Sequence, residues 1–235
     1  MNPTREQLFE AYALPDRAAT RVRMNFVESA DGAVTLGGES GRLGGETDRR
    51  IMQVLRTLSD VVVVGAGTVR VEGYGSIEVS EEDAAWRREH GLAEQPRLAV
   101  VSADLGLEPG DAVFAEPSRR PIVVTHAGAP ADRRDALARV ADVVVCGDSS
   151  VDLPEMLSDL SRRGLTQVLC EGGPHLFGAL LDARLVDEVC VTIAPRFVGG
   201  EAGRIVAGAS ESDRRFALAG VLTDDDGFVF LRYVG

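Results

Sequence analysis

The 235-residue chain contains no lysine; all 25 of its basic residues are arginine. That absence removes Schiff-base lysine chemistry and the P-loop lysine. Arginine forks, hydroxyls and backbone amides remain as binders of phosphate. Acidic residues number 37, giving a net charge of −12 with histidine neutral, and no arginine-rich stripe with interleaved aromatics is present. Nucleic-acid binding needs a basic face, so none is expected. Cysteine is scarce: Cys146, Cys170 and Cys190 stand far apart in apolar runs, with no CxxC and no Cys/His cluster. Structural zinc and a disulfide framework are poor readings, and buried thiols in a reducing compartment fit better. Only 3 histidines occur, none with an acid at ligand spacing, so no metal is expected. No apolar run approaches the ~20 residues that span a bilayer. The N-terminal MNPTREQLFEAY also lacks the apolar core of a signal peptide. The expectation is a soluble, cytoplasmic protein with no membrane contact.

What is present reads as a globular α/β chain. Hydrophobic residues make up 45% and charged residues 26%, which excludes global disorder. The 26 glycines exceed the average of about 7% and gather in short runs, a sign of close backbone turns. A leader (1–19) with a helix-like stretch at 4–12 and a Pro-Asp turn at 15–16 precedes the body of the chain. Residues 20–27 alternate Val22, Met24 and Phe26 against Arg21, Arg23 and Asn25, the pattern of a strand with one buried face. After a glycine-rich stretch (30–45), Thr47 or Asp48 is placed to cap a helix carrying Ile51, Met52, Leu55 and Leu58. Buried strands are expected at 60–65, 98–102, 121–125, 142–146 and from 166, with helices at 80–91, 131–139 and 153–163. The segments 186–195 and 227–235 close the chain as longer strands, expected to pair antiparallel at one edge. Strands alternating with helices argue for a mostly parallel mixed sheet covered on both faces, in one domain over 20–235.

Two glycine turns follow buried strands. VVVVGAGTVR (61–70) runs into Gly65-Ala66-Gly67-Thr68, and VLCEGGPHLFGALL (168–181) places Glu171, Gly172 and Gly173 before a helix with Pro174 at its start. Ligands of open α/β sheets sit beyond the carboxyl ends of strands, so the two turns are positioned to hold the two ends of one dinucleotide. Arg70 occupies the third glycine position of GxGxxG, so the first turn departs from that fingerprint. A third stretch, ESADGAV (28–34), sets Ser29 and Asp31 at a strand end.

Together MNFVESADGAV, DRRIMQVLRTLSDVVVVGAGTV and VLCEGGPHLFGALLDARLVDEVCVTIAPRFVGG resemble the pyrimidine reductase of riboflavin biosynthesis. The resemblance covers 20–235 in consistent order. It implies a dihydrofolate reductase-like three-layer α/β/α fold with antiparallel C-terminal strands. It also implies NADPH as cofactor, a homodimer, and reduction of 5-amino-6-(5-phosphoribosylamino)uracil. Matched residue by residue, Gly65, Ala66, Gly67, Thr68 and Val69 correspond to the first cofactor turn. Glu171, Gly172, Gly173 and Leu176 correspond to the second, and Ser102 and Thr125 to the adenosine side. Ser29 and Asp31 correspond to the substrate side. Departures concentrate there: Asn25 replaces a lysine, Glu72-Gly73-Tyr74-Gly75 replaces Asp-Asp-Pro-Arg-Leu, and Arg42-Leu43-Gly44-Gly45 replaces Trp-Ile-Thr-Gly. Arg42 or Arg23 is a candidate for the missing phosphate fork. Proton relay asks for a carboxylate whose pKa burial raises; Asp31, at the substrate-side strand end, is the first candidate, and Glu171 the second. No HxE…PCxxC deaminase signature is present. Reduction of dihydrofolate or another pterin, and cofactor binding without catalysis, remain alternative readings.

Overall fold

A computed structural model describes residues 2–14, 16–115 and 117–235; Pro15 of the expected Pro-Asp turn lies outside them. The elements are α1 (Arg5–Ala11), β1 (Arg21–Ser29), α2 (Glu46–Leu58), β2 (Val61–Gly65), α3 (Ala66–Glu72), α4 (Glu81–Glu89), β3 (Arg97–Val101), β4 (Ile122–Thr125), α5 (Ala131–Leu137), β5 (Asp142–Val145), α6 (Leu153–Arg162), β6 (Gln167–Cys170), α7 (Pro174–Asp182), β7 (Glu188–Ala194), β8 (Ala217–Thr223) and β9 (Val229–Val234). The strands form one mixed sheet in the order β5-β4-β3-β2-β6-β1-β7-β9-β8. It is parallel from β5 through β7, and β9 and β8 close it antiparallel. The three-layer α/β architecture expected from the sequence is the one observed.

Alternation along the strands divides the core in two. Val62, Val64, Leu98 and Val100 face α1 to α5, while Val61, Val63, Ala99 and Val124 face α6 and α7. Both faces are covered, so the β2 run VVVV is apolar throughout rather than alternating. Coverage on two sides also corrects the reading of β1. Arg23, expected on a polar face, is 4% exposed and paired with Glu188 at 2.7 Å, because β1 lies inside the sheet between β6 and β7. The three cysteines are buried, and desolvation pushes the thiols of Cys170 and Cys190 up to about 12.

Several local expectations change. Gly45, with no side-chain cap, starts α2, and Thr47 and Asp48 fall within its first turn. The strand β8 was not legible; it forms the sheet edge, so β9 is an interior strand of the C-terminal antiparallel set. The Arg87-Arg88-Glu89 end of α4 includes a buried charge. Arg87 is 1% exposed and donates to the carbonyls of Thr57 and Ser59 at 2.7 and 2.6 Å, with Arg56 O at 3.3 Å. It thereby satisfies acceptors that the end of α2 would otherwise leave open, and burial lowers its pKa to about 10.

The topology sets where a ligand can sit. From β2 the chain builds β3, β4 and β5 outward, then returns to insert β6 between β2 and β1. Strand order reverses at β2, β6 and β1, and a crevice opens beyond their carboxyl ends.

Candidate active site

A cavity of about 580 Å³ fills that crevice, within the ordinary range for small-molecule sites. Its floor is Asn25, Phe26 and Val27 of β1 with Gly65 and Glu171. One wall is the start of α2 and the loop before it, through Gly44, Asp48, Arg49 and Met52; the other is Gly67, Thr68, Val71, Glu72 and Tyr74. The start of α7, from Gly173 to Leu176, closes the end. The two glycine turns thus meet in one cavity. They touch directly: the Gly65 amide donates to Gly172 O at 2.8 Å, and a Cβ on Gly173 would come within 2.6 Å of the Thr68 hydroxyl. Gly172 has φ +110°, a conformation glycine tolerates, and its peptide with Gly173 is cis. The helix α7 begins without a side-chain cap, which leaves its first amides open toward the cavity.

Glu171 is the most constrained charge here. Arg56 donates Nε to Oε1 at 2.6 Å and Nη2 to Oε2 at 2.7 Å, and the Tyr74 hydroxyl donates to Oε2 at 2.9 Å. Burial and the Glu171 charge both raise the Tyr74 pKa far above its ordinary value. Burial works against the Arg56 charge, but Glu171 more than compensates and raises its pKa. With both carboxylate oxygens taken up by these donors, the geometry fits an anchoring role for Glu171 better than the expected proton relay.

Asp31 requires the larger correction. It lies outside this cavity, on a second one with Glu28, Gly199 and Arg204. It accepts from the Ser29 hydroxyl and from the amides of Val198 and Gly199 at 3.1 and 2.7 Å. Those bonds, Ser29's first, lower its pKa to about 2, opposite to the direction a proton donor requires. Asp48 has the required direction: it lines the cavity, and burial raises its carboxyl pKa.

The remaining expected residues divide. Asn25, Gly65, Gly67, Thr68, Gly173 and Leu176 line the cavity. Ala66 and Val69 turn into the core, 5% exposed each. Ser102 and Thr125 stand buried where β3 and β4 end, apart from the cavity lining, and Ser102 donates to Asp104 at 3.3 Å. Arg42 pairs with Glu39 at 2.7 Å and Arg23 with Glu188, so neither is the free phosphate fork that was expected. Ser29 is 1% exposed and serves the turn, accepting from the Ala33 amide at 2.9 Å.

Residues 20–230 match the family model of the RibD C-terminal domain. The chain belongs to the RibD C-terminal domain family. A 2,5-diamino-6-ribosylamino-4(3H)-pyrimidinone 5′-phosphate reductase of Archaeoglobus fulgidus is 31% identical over 180 residues, covering 76% of this chain and 82% of that one. The reductase of the same name from Methanothermobacter thermautotrophicus is 33% identical over 183 residues, covering 78% and 81%. Among solved structures, a pyrimidine reductase-like protein of Corynebacterium diphtheriae superposes with a TM-score of 0.87 at 28% identity, covering 97% of each chain. The matched span of the RibD C-terminal domain includes every residue of the cavity described above.

Arg56, Tyr74, Asp48 and Arg49 were not singled out from sequence as site residues. A signal existed on α2: Asp48, Met52 and Arg56 recur every four positions, in a stripe beside the core positions Ile51, Leu55 and Leu58. Among the described residues, no group of three or more His, Cys, Asp or Glu is placed to hold a metal ion, and no helix is long and apolar enough to cross a membrane.

Proposed function

We propose that this chain is an NADPH-dependent reductase of a ribosylaminopyrimidine 5′-phosphate in riboflavin biosynthesis. The observation that carries the reading is the meeting of both glycine turns in one cavity at the strand-order reversal. Gly67 supports the cofactor half: it lines the cavity, and a Cβ there would meet no atom within 4 Å. Gly65, Thr68, Gly173 and the open amides of α7 would hold the dinucleotide, and Arg56 would fix Glu171 in place at the boundary with substrate. When bound, NADPH would supply the hydride for reduction of a C=N bond or of the carbon of a ring-opened ribose. The chain's own residues orient the pyrimidine over Asn25 and Phe26, and Asp48 gives the proton that balances the hydride.

The active unit is residues 20–235, with 1–19 as an N-terminal arm, in a cytoplasmic homodimer. Exposed Leu218 and Val221 on the edge strand β8 support a second copy there. A solution mass of 25.0 kDa, that of one chain, would refute the dimer.

The deciding experiment follows NADPH oxidation with the diaminopyrimidinone and the aminouracil ribosylamine phosphates in parallel, beside an NADPH titration. Turnover of either supports the reading. Tight cofactor binding with no turnover of either rejects the substrate assignment, and no cofactor binding rejects the whole.

A further inference from the structure

In a lysine-free chain, arginine is the side chain that can bring a permanent positive charge to a phosphate dianion. Three arginines considered for this site are already engaged. Arg56 gives two nitrogens to Glu171, Arg42 pairs with Glu39, and Arg23 lies buried against Glu188. Arg49 is different. It is exposed on the cavity wall, and its guanidinium makes no hydrogen bond or salt bridge among the described residues.

We infer that Arg49 is the phosphate anchor of this site, taking the 5′-phosphate of the ribosylamine substrate in a two-pronged grip at the mouth of the cavity. The inference rests on the reductase reading above and names the residue that binds the charged end of that substrate. Long helical side chains lean toward the helix N-terminus. In α2 that direction leads from Arg49 toward the first turn, which starts at Gly45 without a side-chain cap. The charge balance of the wall makes the residue necessary. Glu171 is neutralised by Arg56, and the other carboxylates lining the cavity are Glu72, which accepts from the Ser40 amide, and Asp48, on which the Arg49 charge acts. Arg49 is the arginine among the cavity-lining residues, so without it the cavity offers a dianion no permanently cationic side chain, and with it a fork of donors faces the entrance.

The test titrates ribose 5-phosphate calorimetrically into wild-type protein, Arg49→Gln and Arg49→Lys. Arg49→Gln should weaken binding on the order of tenfold to a hundredfold, the range for a charge-assisted contact. Arg49→Lys should recover part of the loss by restoring the charge without the fork. In turnover, Arg49→Gln should raise KM for the phosphorylated substrate more than it lowers kcat, and leave KM for the dephosphorylated nucleoside as in wild type. Equal affinity of wild type and Arg49→Gln for ribose 5-phosphate, or no binding to wild type, overturns the proposal. Binding that depends on Arg49, with neither pyrimidine reduced, keeps the anchor and refutes the reductase reading. The two therefore fail separately.

Discussion

Arg56 and Glu171 stand 115 positions apart in the chain and meet through two parallel N–H···O bonds of 2.6 and 2.7 Å beneath the cavity. Their side chains are 12% and 3% exposed, so neither charge retains much water. Removing one partner of such a pair leaves the other charge buried and unpaired. That typically costs about 3–5 kcal/mol, whereas replacing both by apolar residues is often close to neutral. Arg56→Met should therefore destabilise by roughly 3 kcal/mol in urea unfolding. Arg56→Met combined with Glu171→Leu should recover much of that loss while remaining inactive. A single variant as stable as wild type would show that the pair is not the buried unit described here.

Gly67 separates cofactor binding from folding. An added side chain there has room in the protein itself and projects where a dinucleotide would lie. Gly67→Val should weaken NADPH at least about tenfold, a change of ~1.4 kcal/mol, with the thermal midpoint nearly unchanged. Undiminished affinity in the folded variant would move the cofactor elsewhere.

For Asp48 the expected loss is in kcat. Asp48→Asn should lower it on the order of a hundredfold, within the usual range for a general acid, with NADPH affinity unaltered. Because burial raises the carboxyl pKa, the wild-type rate should fall as pH rises through that value. The variant should lose that limb of the profile. A variant with wild-type kcat would remove Asp48 as the proton source.

Asp31 should affect stability, not turnover. Its folded pKa of about 2 lies below its ordinary 3.8, so the unfolded chain binds its proton first. Its stabilising contribution is present above the unfolded value and is lost as pH falls toward about 2. Asp31→Asn should remove that part of the acid dependence and speed hydrogen exchange at the amides of Val198 and Gly199, which it now accepts from. Loss of turnover in a variant with unchanged acid stability would restore Asp31 as a candidate relay.

Much of the scaffold was legible because the buried strands announce themselves. Val61 to Val64, Leu98 to Val100 and Ile122 to Val124 are apolar runs that only a sheet covered on both faces accommodates. The strand β8 hid because an edge strand need not be apolar on either face, and Ala217, Leu218 and Ala219 are all exposed. The glycine turns and Glu171 showed in the sequence because their geometry is local. Their partners did not. Arg56 and Tyr74 reach Glu171 across 115 and 97 positions, a proximity created only by the insertion of β6 between β2 and β1. Arg23 misled for a related reason, since a strand alternation cannot reveal that its polar face meets a buried Glu188.

Arg87 links stability of one helix to chemistry on another. Its guanidinium grips the carbonyl end of α2, while the opposite end and middle of that helix present Asp48, Arg49 and Met52 to the cavity, with Arg56 behind Glu171. The position of these groups therefore rests in part on Arg87, which holds the carbonyl end of the helix that carries them. Substitutions on α4, remote from any ligand, are thus a route by which substrate preference can drift without altering a single cavity-lining residue.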